Sequence, residues 1–320
     1  MSKPFVAIFA KLVPPTWEIE EEALAGTGAV IHFFSSIEEI TPFLHKIDIL
    51  VVSLPQVDGK MIEKMTKCRG IISRKIGFDN IDIQAASDQG IVVCNVPDYC
   101  QSEVSNHVMG LILSLTQRIH LYDRDVKGGK WDINSPQGLP LAGRLKNMTC
   151  GLLGFGGIAR EVAKKAAPFF ARLIATDTKM DQAAANAYQV TLVDLKSLFK
   201  QADVISLHIP LIPTTQHLVN QELLALMKPT AYLINTARGG IIDEMDLYET
   251  LQAKKIAGAA LDVAEVEPLP LDHPFRSLDN LIVTPHVAYY SQESSLEQRR
   301  KGMEEAKRLL LGEKPLHPLN

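Results

Sequence analysis

Three ionisable residues of different kinds stand in short segments marked by glycine or proline: Arg238 in NTARGG, Glu267 in DVAEVEP and His286 in TPHVA. Together they suit one kind of chemistry. Reduction of a 2-keto acid needs a cation to hold the carboxylate and polarise the carbonyl, and a proton donor for the oxygen as hydride arrives. The planar guanidinium of Arg238 binds a carboxylate through two parallel hydrogen bonds and stays charged. Imidazole titrates near neutrality, and a carboxylate such as Glu267 beside His286 favours its protonated form, ready to donate; in the reverse direction neutral His286 takes the hydroxyl proton. Taken singly, each has a plainer explanation. A histidine after proline is a turn residue, an arginine before Gly-Gly caps a carbonyl, and a glutamate before proline is exposed. His32, His45, His107, His120 and His317 have no comparable company and read as structural.

A hydride source is legible upstream. Gly154-Phe155-Gly156-Gly157-Ile158-Ala159 fits G-x-G-x-x-G/A, follows the apolar strand Cys150–Leu153 and opens a helix with Ile158, Val162, Ala163 and Ala166 on one face. Gly154 permits the tight turn, Gly156 lets backbone approach a pyrophosphate, and small Ala159 lets helix and sheet pack closely. The first helical amides, at Gly157 and Ile158, face the anion. Asp177, 23 residues beyond Gly154, ends the next strand, near the spacing of about 20 at which an acidic residue meets the adenosine ribose hydroxyls. Its charge repels a 2′-phosphate, so NAD is favoured over NADP, with Lys179 leaving some tolerance for NADP.

These groups need a scaffold, and β-branched runs alternate with helical patterns along nearly the whole chain, as in parallel sheets built from βαβ units. A first series has strands at Phe5–Ala10, Val30–Phe34, Ile49–Leu54, Gly70–Ser73 and Ile91–Val96. A helix from about Glu103 to Arg118 follows, then a loop or linker from Gly128-Gly129 to Gly138-Leu139-Pro140. The second series has strands at Cys150–Gly154, Leu173–Asp177, Val204–His208, Tyr232–Thr236, Gly258–Val263 and Leu281–Thr284, and a charged amphipathic helix, Ser295–Leu311, ends the chain. With 320 residues, 46% of them apolar, the chain can bury the cores of two domains. A net charge of -4 gives no basic field for nucleic acid. The apolar run Phe5–Ala10 is too short for a signal peptide, and no stretch is long enough for a membrane helix. Cys68, Cys94, Cys100 and Cys150 lack metal-ligand or redox spacing, so they read as reduced thiols of a cytoplasmic protein with no metal site.

Six motifs in order, GFDNID (77–82), NVPDYC (95–100), GLLGFGGIA (151–159), LINTARGG (233–240), GAALDVAEVEPLP (258–270) and TPHVAYYS (284–291), carry a resemblance. The chain is similar to the D-isomer-specific 2-hydroxyacid dehydrogenase family, in the branch of C-terminal-binding proteins and phosphoglycerate dehydrogenase-like enzymes. The resemblance implies an α/β protein of two Rossmann-like domains, one flavodoxin-like and one dinucleotide-binding, with parallel sheets and a hinged cleft between them. Residues 1–100 and 291–320 would form the substrate domain, and residues 101–290 the NAD-binding domain and homodimer contact. Arg238, Glu267 and His286 match the family's catalytic set. Thr236, Ala237, Arg238 and Asp262 would lie by the nicotinamide, and His208 and Pro210 along the cofactor. The substrate loop matches Arg74, Lys75, Ile76, Gly77 and Phe78, whose backbone amides would hold the carboxylate of a small 2-keto or 2-hydroxy acid. Tyr99, Tyr289 and Tyr290 would shape its pocket. This loop is one residue shorter than usual and has one glycine fewer, and Gly157 stands where relatives usually carry arginine, which implies a weaker grip on the pyrophosphate. The resemblance leaves two alternatives: an NADH-responsive corepressor-like binding protein, and an enzyme oxidising phosphoglycerate or a phosphonate.

Overall fold

The computed structural model describes residues 3–11, 16–131 and 143–320. The linker expected up to Pro140 therefore falls largely outside the described residues. The chain divides into two compact units, Met1–Cys100 with Tyr290–Asn320, and Gln101–Tyr289.

In the first unit, β1 (Phe5–Phe9), β2 (Val30–Phe34), β3 (Ile49–Val52), β4 (Gly70–Ser73) and β5 (Val92–Asn95) form one parallel sheet in the order β2-β1-β3-β4-β5. Both faces of its central strands are apolar, because a parallel sheet is covered on both sides. Ala7, Phe9, Leu50, Val52 and Ile71 belong to one core cluster. Val6, Ile8, Ile49, Val51 and Ile72 belong to a second, with Met303, Ala306 and Leu309 of the helix Gln292–Leu310. That helix is fastened by Arg299, whose guanidinium makes two 2.7 Å bonds to the buried Glu20 carboxylate.

The second unit holds β6 (Thr149–Leu153), β7 (Arg172–Thr176), β8 (Val190–Leu192), β9 (Val204–Leu207), β10 (Tyr232–Asn235), β11 (Gly258–Leu261) and β12 (Leu281–Val283). All are parallel, in the order β12-β11-β10-β9-β6-β7-β8. The winding reverses between β6 and β9, and open α/β sheets bind ligands beyond the carboxyl ends of the strands at such a switch point. The two parallel α/β units agree with the fold class read from the sequence.

Three local features differ from the sequence reading. The short edge strand β8 adds a seventh strand to the second sheet. The helix expected to run to Arg118 stops at Thr116, and a new helix, Ile119–Lys127, starts after Arg118, which sits at φ 56°. The last helix begins at Gln292, where Ser291 and Ser294 form a capping box.

Candidate active site

The glycine turn lies at the switch point. Gly154 has φ +87°, and a Cβ there would stand 2.6 Å from the His208 carbonyl oxygen, so the residue after β6 must be glycine for the segment after β9 to approach. Gly156 caps the helix Gly157–Ala166 and faces open space, which leaves the helix-start amides accessible to an anion. Phe155 between them is buried, and its N–H donates to Asp177 Oδ2 at 2.8 Å. Asp177 Oδ1 takes the Lys179 N–H at 2.7 Å. Each carboxylate oxygen keeps a further lone pair for a hydroxyl donor. The fit to a dinucleotide extends to buried polar atoms that have no partner among the described residues: His208 Nε2 and Thr236 Oγ1. Burial pushes the His208 imidazole down to about 4, so it is neutral at physiological pH. A Cβ on Gly157 would collide with the side chain of Gln101, which occupies the space beside this helix start.

Beyond β10, the buried Asn235 side chain shapes the turn carrying Thr236, Ala237 and Arg238. Its Oδ1 accepts from Ala237 N at 3.0 Å, and its Nδ2 donates to the Arg238 carbonyl at 2.8 Å. Arg238 also donates from Nη1 to the Ala237 carbonyl. The next residue, Gly239, lies against the Ala264–Glu265 peptide, where any Cβ would be 2.0 Å from the Ala264 carbonyl carbon. This close approach brings the arginine turn against the segment carrying Glu267.

His286 follows β12 in a left-handed turn, φ 54°. Its Nδ1 is 2.7 Å from Glu267 Oε2, while Glu267 Oε1 accepts from Ala264 N at 3.1 Å. Burial raises the Glu267 carboxyl, but the hydrogen bond and charge of His286, the Ala264 amide and the Arg238 charge outweigh it and hold the group below the ordinary carboxylate range. Tyr289 stands edge-on to the His286 ring, with centroids 6.4 Å apart. Asp262, expected beside the nicotinamide, is 1% exposed and directs its carboxylate to the His286 loop, accepting from Thr284 Oγ1, Val287 N and Ala288 N. Pro210 is exposed and its carbonyl accepts from Thr215. Sequence reasoning passed over Asn235 and Thr284; the signal in each case was a polar residue at the end of an apolar strand.

In the first unit, the loop after β4 turns three consecutive carbonyls inward. The Lys75 carbonyl accepts from Val96 N, that of Ile76 from Asn95 Nδ2 at 2.6 Å, and that of Gly77 from Ser73 Oγ at 2.8 Å. In a trans peptide the N–H lies opposite the C=O, so the amides of Ile76, Gly77 and Phe78 each face away from the partner of the preceding carbonyl. The adjoining Asn80 is spent structurally on the Ser53 and Pro55 carbonyls, and Asp82 caps the helix Ile83–Asp88. Tyr99 is buried and Tyr290 exposed. Cys68, Cys94 and Cys150 are buried thiols pushed up to about 12, which excludes them as thiolate nucleophiles at neutral pH.

A seven-stranded sheet with a glycine turn at its switch point, joined to a His–Glu pair and an arginine turn, defines a dinucleotide-dependent oxidoreductase scaffold. Residues 109–288 match the family model described as D-isomer specific 2-hydroxyacid dehydrogenase, NAD binding domain. The chain belongs to this family. It is 41% identical over 271 residues to a hydroxypyruvate reductase of Thermotoga maritima, covering 83% of this chain and 85% of that protein. It is 40% identical over 278 residues to a D-3-phosphoglycerate dehydrogenase of Methanocaldococcus jannaschii; that match covers 86% of this chain but 52% of the relative, so the chain spans about half its length. A D-lactate dehydrogenase of Aquifex aeolicus, solved with NAD and lactic acid, superposes with a TM-score of 0.85 at 28% identity, covering 96% of each chain.

Proposed function

We propose that the chain reduces a small 2-keto acid to the D-2-hydroxy acid with NADH, with His286 as general acid in that direction and general base in reverse. The observation that carries this reading is the 2.7 Å contact between His286 Nδ1 and ionised Glu267. It spends the Nδ1 proton on the carboxylate and leaves Nε2 to carry the proton exchanged with substrate oxygen. Arg238 holds the substrate carboxylate and polarises the carbonyl. The amides of Ile76, Gly77 and Phe78 supply a second carboxylate contact. Bound NADH supplies the hydride. Gly154, Gly156 and the amides of Gly157 and Ile158 cradle its pyrophosphate, and Asp177 selects NAD over NADP. Residues 1–100 with 291–320 serve the substrate and residues 101–290 the cofactor, in a cytoplasmic homodimer.

The test is consumption of NADH against a panel of glyoxylate, hydroxypyruvate, pyruvate and phosphohydroxypyruvate. Turnover of an unphosphorylated keto acid, abolished in His286→Ala while NADH still binds, is the expected result. Selective turnover of phosphohydroxypyruvate would move the substrate class to phosphoglycerate, the substrate in the name of the Methanocaldococcus relative. NADH binding with no turnover of any member would overturn the enzyme reading in favour of an NADH-responsive binding protein.

A further inference from the structure

The helix Gln101–Thr116 contributes one polar side chain to the far side of the His286 loop. His107 Nε2 lies 3.1 Å from Thr284 Oγ1 and 3.6 Å from Asp262 Oδ1. Thr284 Oγ1 in turn is 2.5 Å from Asp262 Oδ1. The protons in this chain can be assigned by counting. A threonine hydroxyl has one proton and an ionised carboxylate has none, so the contact with Asp262 uses the hydroxyl proton of Thr284. Thr284 can then only accept from His107, and His107 Nε2 must carry a hydrogen.

The far end of this chain is the backbone of the proton donor. Asp262 accepts the Val287 N–H at 3.0 Å and the Ala288 N–H at 2.8 Å on its carboxylate, and the His286 N–H at 2.8 Å on its main-chain oxygen. These bonds bracket His286, whose φ of 54° is costly for a residue with a Cβ and persists only where surrounding contacts impose it. A carboxylate buried to 1% exposure needs donors on every side, and His107 and Thr284 complete the set on the helix side.

We infer that His107 is a positioning residue for His286: through Thr284 and Asp262 it holds the left-handed turn that aims the imidazole at Glu267. With His286 read as the acid/base group, His107 acts through Thr284 and Asp262 and sets the orientation on which proton transfer depends.

Full-length His107→Ala, His107→Gln and Thr284→Val separate this role from a general packing role. Loss of a donor in a network ending on a charged acceptor should lower kcat about 10- to 100-fold, with KM and the NADH dissociation constant changing by less than about twofold. His107→Gln, whose terminal amide can donate to Thr284, should recover most of kcat. Thr284→Val should reproduce the alanine variant, and the double variant should be no worse than either single one. A readout independent of turnover is the ring N–H resonance of His286, assigned by its loss in His286→Ala: it should shift or broaden in His107→Ala and return in His107→Gln. The inference is overturned if that resonance is unmoved in His107→Ala, or if the alanine and glutamine variants are equally impaired and differ from wild type in thermal stability alone. If the wild type turns over no keto acid, the proposed function fails, and the resonance still decides whether His107 positions His286.

Discussion

His208 shows how one buried side chain ties the cofactor turn to pH. Its carbonyl presses on Gly154 and its Nε2 is buried without a partner among the described residues. Burial lowers its imidazole from 6.5 to about 4. The unfolded chain therefore takes up a proton near pH 6.5 that the folded chain refuses until about pH 4, and stability contributed at neutral pH drains away across that window as the solution is acidified. Replacing His208 with leucine removes the titrating group, so the melting temperature should fall less steeply between pH 6.5 and 4 in His208→Leu than in wild type. Parallel slopes would show that His208 titrates normally. Glu267 has the opposite role at this scale: its contacts with His286, Ala264 and Arg238 favour the ionised carboxylate and keep it a charged partner for His286 at neutral pH.

At the scale of elements, what could be read from sequence divides along a physical line. Central parallel strands such as β3 and β10 are buried on both faces, so each appears as an uninterrupted apolar run. β8 is three residues long at the sheet edge with Val190 alone buried, too little pattern to stand out. The break at Arg118 has no glycine or proline to announce it: a buried arginine itself takes the left-handed conformation between the two helices. Arg238, Glu267 and His286 were legible as residue types beyond strand ends. Their supports were not: Thr284 reaching Asp262 and Gly239 lying on the Ala264 peptide depend on which strands are neighbours, and Asn235 folds back on its own turn only once that turn is formed. Gly239 is the most exposed to test. Its missing Cβ would overlap backbone rather than a flexible side chain, so Gly239→Ala must separate the arginine turn from the Glu267 segment. Expected are a loss of about 1–3 kcal/mol in urea-induced unfolding and a fall in kcat/KM larger than the rise in the NADH dissociation constant. Wild-type stability would mean that the two segments can part without cost.

At the scale of the whole molecule, the surface of the second unit carries a feature that neither its core nor its site explains. The helix Ile119–Lys127 buries Leu121 at 4% exposure, yet Ile119 and Val126 are 55% and 48% exposed, and Tyr122 is exposed with them. Positions i, i+3 and i+7 share one helical face, so these three form an apolar row, and Trp131 nearby in sequence is 85% exposed. The proposed homodimer would be expected to cover such a row of large exposed apolar side chains. A second copy of the chain meeting it across a two-fold axis would cover the same row on both partners with one set of residues. The expected solution mass is twice that of the chain by light scattering at micromolar concentration. Because the contact is apolar, the dimer should survive high sulfate, which strengthens burial of apolar surface. Ile119→Asp with Val126→Asp should give a monomer that keeps its circular dichroism and binds NADH, since both side chains lie outside the folded core. A wild-type monomer, or a double variant that remains dimeric, would place the association surface elsewhere or remove the need for one.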